Sequence, residues 1–140
     1  MIEKNQQNRL NGGCLCGYIR FQVDGIPRRT THCHCRHCRR SSGAAFLTWI
    51  EYHSSDFKIL AGTLSQYESR SGVTRQFCGN CGTQLTYQHV DEPEIINVTA
   101  CSMDNVGSVS PEDHVWCERK VPWLNLGDDL PQYKFGRFDE

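Results

Sequence analysis

Seven of the nine cysteines lie in three short stretches whose spacing is typical of metal ligands. The stretches read GGCLCG, with Cys14 and Cys16, HCHCRHCRR, with Cys33, Cys35 and Cys38, and FCGNCG, with Cys78 and Cys81. Thiolate sulfur is a preferred ligand of Zn²⁺ in proteins. The polar start of the chain, MIEKNQQNRLNGG, lacks the apolar centre of a signal peptide, so we expect a cytoplasmic protein. In that reducing compartment, clustered cysteines more often bind metal or act in catalysis than form disulfides.

Two of the stretches supply two pairs of cysteines, and together these pairs match a closed tetrahedral site. Cys78 and Cys81 have Cys-x-x-Cys spacing followed by glycine, as in a zinc knuckle, and Cys14 and Cys16 complete a four-cysteine cluster. A thioredoxin-like redox pair is the competing interpretation, but it requires a helix after the motif, whereas GTQLTYQ after Cys81 favours a strand. Four thiolates also suit iron, and the spacing leaves that alternative open.

The remaining stretch offers a three-cysteine cluster, made of Cys33, Cys35 and Cys38, with no obvious fourth cysteine. A metal held by three protein ligands keeps an open position for water or substrate, which is typical of catalytic zinc. The alternative is a second structural site completed by a histidine of the same stretch. If the stretch is extended, alternation places His32 and His34 on the face opposite Cys33 and Cys35, which disfavours these histidines as ligands.

Basic residues are concentrated around the three-cysteine cluster, although the whole chain carries a net charge of −1. Residues 1–90 hold 11 Lys or Arg against 5 Asp or Glu, and residues 91–140 hold 4 against 11. The near-neutral total and the lack of a continuous basic stripe argue against a nucleic-acid-binding protein. Arg36, Arg39 and Arg40 could instead balance the negative charge of a three-thiolate site, or they could be solvated surface residues.

The rest of the sequence predicts one domain built mainly of short strands. A length of 140 residues suits a single domain, and no apolar run is long enough to cross a membrane. Alternating and β-branched runs bounded by turn-forming residues predict strands at Tyr18–Val23, Ala45–Tyr52, Phe57–Leu60, Gln66–Ser69, Thr74–Phe77, Thr83–Gln88, Ile95–Thr99 and His114–Arg119. We expect a short helix after Cys35, another at Ser102–Gly107, and an irregular segment from Val121 to Tyr133.

The order of these motifs resembles the glutathione-dependent formaldehyde-activating enzyme family, whose domain is shared with centromere protein V. The resemblance rests on GGCLCG, CHCRHCRRSSG, FCGNCGTQL and the closing PEDHVWCERKVPWLNLGDDLPQY, and it covers residues 11–133. It implies a mainly β, Mss4-like fold of short strands and irregular loops organised around two zinc ions per chain. Residues 1–10 would then form an N-terminal extension, and residues 134–140 a C-terminal tail.

The resemblance also assigns roles to the cysteines. It implies a structural zinc on Cys14, Cys16, Cys78 and Cys81, and a catalytic zinc on Cys33, Cys35 and Cys38. The implied activity is that of a carbon–sulfur lyase, in which formaldehyde and a small thiol such as glutathione form S-hydroxymethylglutathione. Neither a nucleic acid nor a membrane is expected as a partner.

Three residues outside the cysteine clusters are predicted to contact substrate. Arg39 and Arg40 could clamp a substrate carboxylate, and His114 lies in the closing stretch that resembles the family. The alternative function is a non-catalytic zinc module that binds a protein partner, as other Mss4-like domains do, and it predicts no pocket beside the three-cysteine cluster. Cys101 and Cys117 fall outside both clusters. Cys101 is the better candidate for a reactive thiol, whereas alternation places Cys117 on a core face.

Overall fold

Ten β-strands and one short α-helix form the regular structure of residues 9–137, the part of the chain that this computed structural model describes. The strands are β1 (Leu10–Gly13), β2 (Arg20–Val23), β3 (Arg29–Cys33), β4 (Leu47–His53), β5 (Phe57–Ala61), β6 (Ser65–Arg70), β7 (Val73–Phe77), β8 (Gln84–His89), β9 (Ile95–Thr99) and β10 (Asp113–Val115). The helix α1 spans Arg36–Ser42, and short 3₁₀ turns lie at Ser54–Asp56, Ala100–Ser102, Val106–Ser108 and Cys117–Arg119. The prediction of a mainly β fold is confirmed.

The strands form two sheets that enclose the main core. β1, β2 and β5 make a small antiparallel sheet, and the large sheet has the order β10-β3-β4-β9-β8-β7-β6. All pairs in the large sheet are antiparallel except β10 with β3, which run parallel. Phe21 of β2, Tyr52 of β4 and Val98 of β9 belong to one fully buried cluster, so burial of apolar surface holds the two sheets together.

The second face of the large sheet is available for a site. Successive side chains of a strand point to opposite faces. Ile50 and Tyr52 of β4 therefore enter the core, while Trp49 and Glu51 face the other way. This second face carries the residues described below.

The helix α1 is short and is capped at both ends. At its start, the sulfur of Cys35 accepts a hydrogen bond from the N–H of Cys38 at 3.3 Å. It ends at Gly43, which has φ +68° and donates its N–H to the carbonyl of Arg39 at 2.9 Å. Glycine adopts this left-handed conformation without steric cost. The predicted helix after Cys35 is confirmed, and it places Cys35 and Cys38 on one turn.

Two other predicted elements are wrong in part. The predicted strand His114–Arg119 is shorter, because Trp116 has φ 57° and turns the chain out of β10 into a 3₁₀ turn. In place of the predicted helix at Ser102–Gly107, the chain has two 3₁₀ turns, Ala100–Ser102 and Val106–Ser108, since Met103 between them bridges to Gly12 of β1. The strands β1 and β3 were not predicted from the sequence.

The ends of the described chain bear on the predicted domain division. Of residues 1–10, the predicted extension, the structure describes only the last two, and Leu10 already begins β1. Of residues 134–140, the predicted tail, it describes the first four. The division therefore stays a prediction. No helix within residues 9–137 is long and apolar enough to span a membrane.

Candidate metal centres and active-site cavity

The four-cysteine cluster forms where the β1–β2 connection meets the β7–β8 connection. The sulfurs of Cys14, Cys16, Cys78 and Cys81 all lie within 4.8 Å of one another. The sulfur of Cys16 is 3.6 Å from that of Cys14 and 3.8 Å from that of Cys78. Sulfurs around a tetrahedral zinc, with Zn–S bonds of about 2.3 Å, lie roughly 3.8 Å apart. The donor set and its spacing therefore fit zinc.

The turn that carries Cys78 and Cys81 has the backbone of a zinc knuckle. The N–H of Cys81 donates to the sulfur of Cys78 at 3.4 Å. Gly82 follows with φ +81°, and its N–H donates to the carbonyl of Cys78 at 2.8 Å. Because a side chain at this φ would be strained, glycine is the residue that allows the turn to close around a metal.

The three-cysteine cluster combines the end of β3 with the start of α1. Cys33 is the last residue of β3, Cys35 caps α1, and Cys38 lies in its first turn, so the three sulfurs lie within 4.8 Å of one another. Trp49 of β4 donates its indole N–H to the sulfur of Cys38 at 3.3 Å. Within residues 9–137, no further Cys, His, Asp or Glu ligand atom joins the cluster at that spacing.

The three thiols differ in their affinity for protons. Hydrogen bonds from Cys33 and Cys38 hold the pKa of the Cys35 thiol well below its usual range, and the positive charge of Arg75 acts in the same direction. Hydrogen bonding to Cys35 and Cys38, together with burial, raises the pKa of Cys33. Three soft sulfur donors suit a zinc-like ion.

A cavity of about 630 Å³, here called the first cavity, opens beside the three-cysteine cluster. Its floor is the second face of the large sheet, where the pairing register aligns one side chain from each of five neighbouring strands. These side chains are Arg29, Glu51, Asn97, Tyr87 and Arg75. All three cysteines line this space, which is large enough for a small organic substrate.

Arg75 is a residue of this site that the sequence reasoning missed. It is only 6% exposed, and its guanidinium carbon lies 5.2 Å from the ring centre of Tyr87 and 6.0 Å from that of Trp49. Its Nη2 atom is 3.9 Å from the Cys38 sulfur. The sequence does indicate that Arg75 is buried. Alternation in VTRQF places Arg75 on the same face of the strand as Val73, which is apolar and fully buried.

Positive charge exceeds negative charge around the first cavity. Besides Arg75, the basic residues that line it are Arg29, Arg36, Arg70 and Arg119, and the acidic ones are Glu51 and Glu92. Among the described residues, no carboxylate forms an ion pair with Arg75. This excess of cations favours an anionic ligand.

The family of this chain follows from its sequence match over residues 9–119, which belong to the family described as “Glutathione-dependent formaldehyde-activating enzyme”. The chain belongs to this family. The match includes both cysteine clusters, so the family assignment and the geometry concern the same residues.

Individual relatives of this family member agree with that assignment. A “Putative glutathione-dependent formaldehyde-activating enzyme” from Halomonas elongata is 28% identical over 126 residues, which cover 84% of this chain and 80% of the relative. An “Uncharacterized lyase” from Schizosaccharomyces pombe is 28% identical over 88 residues, which cover 61% of this chain and 64% of the relative. The crystal structure of a Rhodobacter sphaeroides protein matches with a TM-score of 0.58 and 25% identity, covering 72% of this chain and 91% of that one.

In this family member, the three residues predicted to contact substrate lie apart. Arg40 is exposed and lines a second cavity between α1 and strands β6–β8, whereas Arg39 is partly buried and lines neither cavity. His114 is 1% exposed and lies on the core side of β10, because its neighbour Val115 pairs with Cys33 on the side of the first cavity. Contact between these three residues and substrate stays a prediction.

His114 takes part in a buried hydrogen-bonded chain. Its Nδ1 bonds to Nε2 of His34 at 2.8 Å, and its Nε2 bonds to a carboxylate oxygen of Asp128 at 2.8 Å. The ring of His32 stacks on His114 with centres 4.6 Å apart. Burial lowers the pKa of His34 to about 4, so its imidazole is neutral near pH 7. His32 and His34 are not part of the three-cysteine cluster, as strand alternation predicts.

The two remaining cysteines lie outside both clusters. Cys101 is exposed in the 3₁₀ turn after β9. Cys117 is partly buried in the turn after β10, where burial raises the pKa of its thiol. Reactivity of Cys101 therefore stays a prediction, and Cys117 is less buried than a core position would be.

Proposed function

We propose that this protein is a zinc-dependent carbon–sulfur lyase that joins an anionic small thiol, such as glutathione, to formaldehyde. The observation that carries the proposal is the three-cysteine cluster lining an arginine-rich cavity of about 630 Å³. The family match and the names of the two relatives support the same type of chemistry.

The two cysteine clusters would have different tasks. Cys14, Cys16, Cys78 and Cys81 would hold a structural zinc, and Cys33, Cys35 and Cys38 would hold a catalytic one. The four-cysteine cluster has the full ligand number of a closed site, whereas the other has three ligands and a cavity beside it. Zinc at the three-cysteine cluster would supply the Lewis acidity that lets a thiol lose its proton near neutral pH.

The reaction is a single addition that needs no oxidant or reductant. The thiol sulfur bonds to the carbonyl carbon, the C=O double bond becomes a single bond, and the thiol proton ends on that oxygen. Arg75 would stabilise negative charge that develops beside Cys38, because it is a cation held in a largely buried position. The rings of Trp49 and Tyr87, which contact each other, both pack against this guanidinium and limit its access to water.

The alternative, a non-catalytic zinc module that binds a protein partner, predicts no pocket beside the three-cysteine cluster. The first cavity opens at that position, with Cys33, Cys35 and Cys38 in its wall. A buried cation, Arg75, also faces this space, where it could contact an anionic substrate. Both observations favour the enzyme.

The test is the rate at which glutathione exchanges with its S-hydroxymethyl adduct, measured by NMR exchange spectroscopy with zinc-loaded protein. Wild-type protein should accelerate the exchange above the spontaneous rate, and Cys35→Ser should abolish the acceleration. Cys101→Ser is the matched control, because it removes an exposed thiol outside both clusters. The proposal fails if protein with two zinc ions per chain gives no acceleration with glutathione or any of a panel of small thiols and aldehydes.

A further inference from the structure

A third group of potential metal ligands lies at one edge of the large sheet, outside both cysteine clusters. Ligand atoms of His32, His114 and Asp128 lie within 4.8 Å of one another. His32 on β3 and His114 on β10 are directly paired in the parallel register, so their side chains stand on the same face of the sheet. Their neighbours Cys33 and Val115 stand on the opposite face, in the wall of the first cavity. The sheet itself therefore separates this group from the three-cysteine cluster.

The backbone brings the carboxylate of Asp128 to this edge. The N–H of His114 donates to the carbonyl of Pro131 at 2.9 Å, and the carbonyl of His114 accepts the N–H of Tyr133 at 2.9 Å. These bonds lay the end of the closing segment, residues 121–133, beside β10 in parallel. Asp128 lies just before this contact, and its Oδ2 is 2.8 Å from Nε2 of His114. Main-chain pairing thus brings the carboxylate and the imidazole together.

Each of the two imidazole rings is oriented by a hydrogen bond at Nδ1. Nδ1 of His32 bonds to Oγ1 of Thr48 at 2.7 Å, and Nδ1 of His114 bonds to Nε2 of His34 at 2.8 Å. The two Nε2 atoms are then the candidate metal ligands. Histidines that bind metal almost always use their other ring nitrogen in this way, and the bond fixes the orientation of the ring. The ring of Phe46 packs edge-on against His32, with centres 5.1 Å apart, and adds an apolar wall.

The third ligand, Asp128, supplies negative charge and access from solvent. Its Oδ1 accepts the N–H of Leu130 at 3.1 Å, which orients the carboxylate while Oδ2 faces His114. Bonds of about 2.1 Å to one ion place neighbouring ligand atoms roughly 3.0–3.4 Å apart, so the 2.8 Å between Oδ2 and Nε2 needs only a small adjustment. The side chain of Asp128 is 40% exposed, so an ion can enter from solvent and water can complete its coordination. Two imidazoles and one carboxylate suit divalent zinc, iron, cobalt or nickel.

We propose that His32, His114 and Asp128 form a third metal site, which binds one divalent transition-metal ion and fastens the closing segment to β10 and β3. In the metal-free protein, the hydrogen bond between His114 and Asp128 joins the same two groups. Because only one of its ligands is charged, the site holds its ion less tightly than the cysteine clusters do and exchanges it with solvent. The proposal does not depend on the lyase function, since none of the three ligands lines the first or the second cavity.

The test titrates Co²⁺ calorimetrically into protein whose two cysteine clusters are already filled with zinc. Wild-type protein should bind one further ion per chain. Its near-ultraviolet absorption should stay weak, because Co²⁺ on nitrogen and oxygen ligands lacks the strong thiolate charge-transfer bands that displacement of zinc from cysteine would produce. Binding should also raise the melting temperature, since the ion binds the folded protein and not the unfolded chain. Asp128→Asn should weaken binding by more than about tenfold, because the loss of an outer-shell partner alone costs that much.

Asp129→Asn is the matched control, because Asp129 is the next residue, is exposed and carries the same charge, but lies outside the ligand group. Asparagine also tolerates its φ of +62°. This variant should bind Co²⁺ as tightly as wild-type protein does.

His32→Asn is a second test, since its amide can still bond to Thr48 while the imidazole is lost. This variant should also bind Co²⁺ more than about tenfold more weakly. Circular dichroism checks that each variant is folded, and if either His32→Asn or Asp128→Asn is not, the other decides. The proposal is overturned if wild-type protein binds no ion beyond its zinc, if the added Co²⁺ shows only thiolate bands, or if a folded ligand variant binds Co²⁺ as tightly as Asp129→Asn does.

Discussion

The indole N–H of Trp49 points at the sulfur of Cys38 across 3.3 Å, and both residues are almost fully buried. Trp49 lies on β4 and Cys38 on α1, so this hydrogen bond joins the sheet to the helix that contains Cys38 and is capped by Cys35. An N–H donor aimed at a thiolate stabilises its negative charge and fixes the direction of its lone pairs.

Replacing Trp49 with Phe should weaken metal binding at the three-cysteine cluster by about tenfold, because outer-shell hydrogen bonds typically contribute that much to metal affinity. The measurement is competition with a chromogenic chelator, and the four-cysteine cluster of the same molecule serves as an internal reference. Tyr87→Phe is the control, since it keeps the aromatic wall next to Trp49 without changing the donor to Cys38. Equal loss of affinity at both clusters in Trp49→Phe would show general unfolding instead of a local effect.

The two clusters should respond differently to the loss of one sulfur. Cys78→Ser should unfold the protein, because the four-cysteine cluster joins segments far apart in the chain. A structural zinc can contribute on the order of 10 kcal/mol to folding, which is comparable to the whole stability of a domain. Cys35→Ser should keep the fold and lower the metal content from two ions to one.

Elemental analysis and circular dichroism during heating check this pair of variants, with Cys101→Ser as the common control. If Cys35→Ser melts as early as Cys78→Ser, the three-cysteine cluster is structural and the catalytic assignment is wrong.

The cysteine ligands could be predicted from sequence because each pair or triplet is local, and the two distant pairs could be combined because together they supply the four ligands of a closed site. A Cys-x-x-Cys turn or a cysteine that caps a helix takes its geometry from a few consecutive residues, so the spacing around Cys78 or Cys35 carries most of the information. The short helix after Cys35 follows for the same reason, because its caps are Cys35 itself and Gly43.

The residues of the first cavity could not be predicted in the same way, because they lie on different strands. They become neighbours only through the alignment in which those strands pair. Arg75, Tyr87 and Asn97 become neighbours only when β7, β8 and β9 pair in one particular alignment. Register depends on contacts between distant segments and not on local propensity. The position of His114 is a similar case, since the parallel pairing of β10 with β3 directs it away from the cavity.

Tyr52→Phe should stabilise the protein. Tyr52 is fully buried in the main core, and its hydroxyl has no hydrogen-bond partner among the described residues. Burial also raises the pKa of this phenol to about 12. Removing an unsatisfied buried hydroxyl while keeping the ring should raise the free energy of unfolding by about 1 kcal/mol. Urea denaturation measures the change, and a loss of stability would mean that a buried water satisfies the hydroxyl.

Removing the Asp113 carboxylate should strongly destabilise the fold, although Asp113 lies outside both cysteine clusters. Asp113 lies on β10, is 2% exposed, and accepts hydrogen bonds from the hydroxyl of Thr31 and, at 2.6 Å, from Nε of Arg137. These contacts hold β10 against β3 and tie the end of the described chain to the sheet edge. Asp113→Ala would remove the carboxylate acceptor of the Thr31 hydroxyl and the shorter of the two ion pairs of Arg137, whose other partner is Glu112.

Breaking a buried ion pair by removing one partner typically costs about 3 kcal/mol or more, so we expect a destabilisation of that size for Asp113→Ala in urea denaturation. Glu112→Gln is the matched control, because Glu112 is half exposed and its oxygen lies 3.5 Å from Arg137. The glutamine keeps an acceptor for the N–H of Thr30, so the variant should lose less than about 1 kcal/mol. Similar losses in the two variants would mean that Arg137 is held by diffuse surface charge, and that the Asp113 contact does not anchor β10.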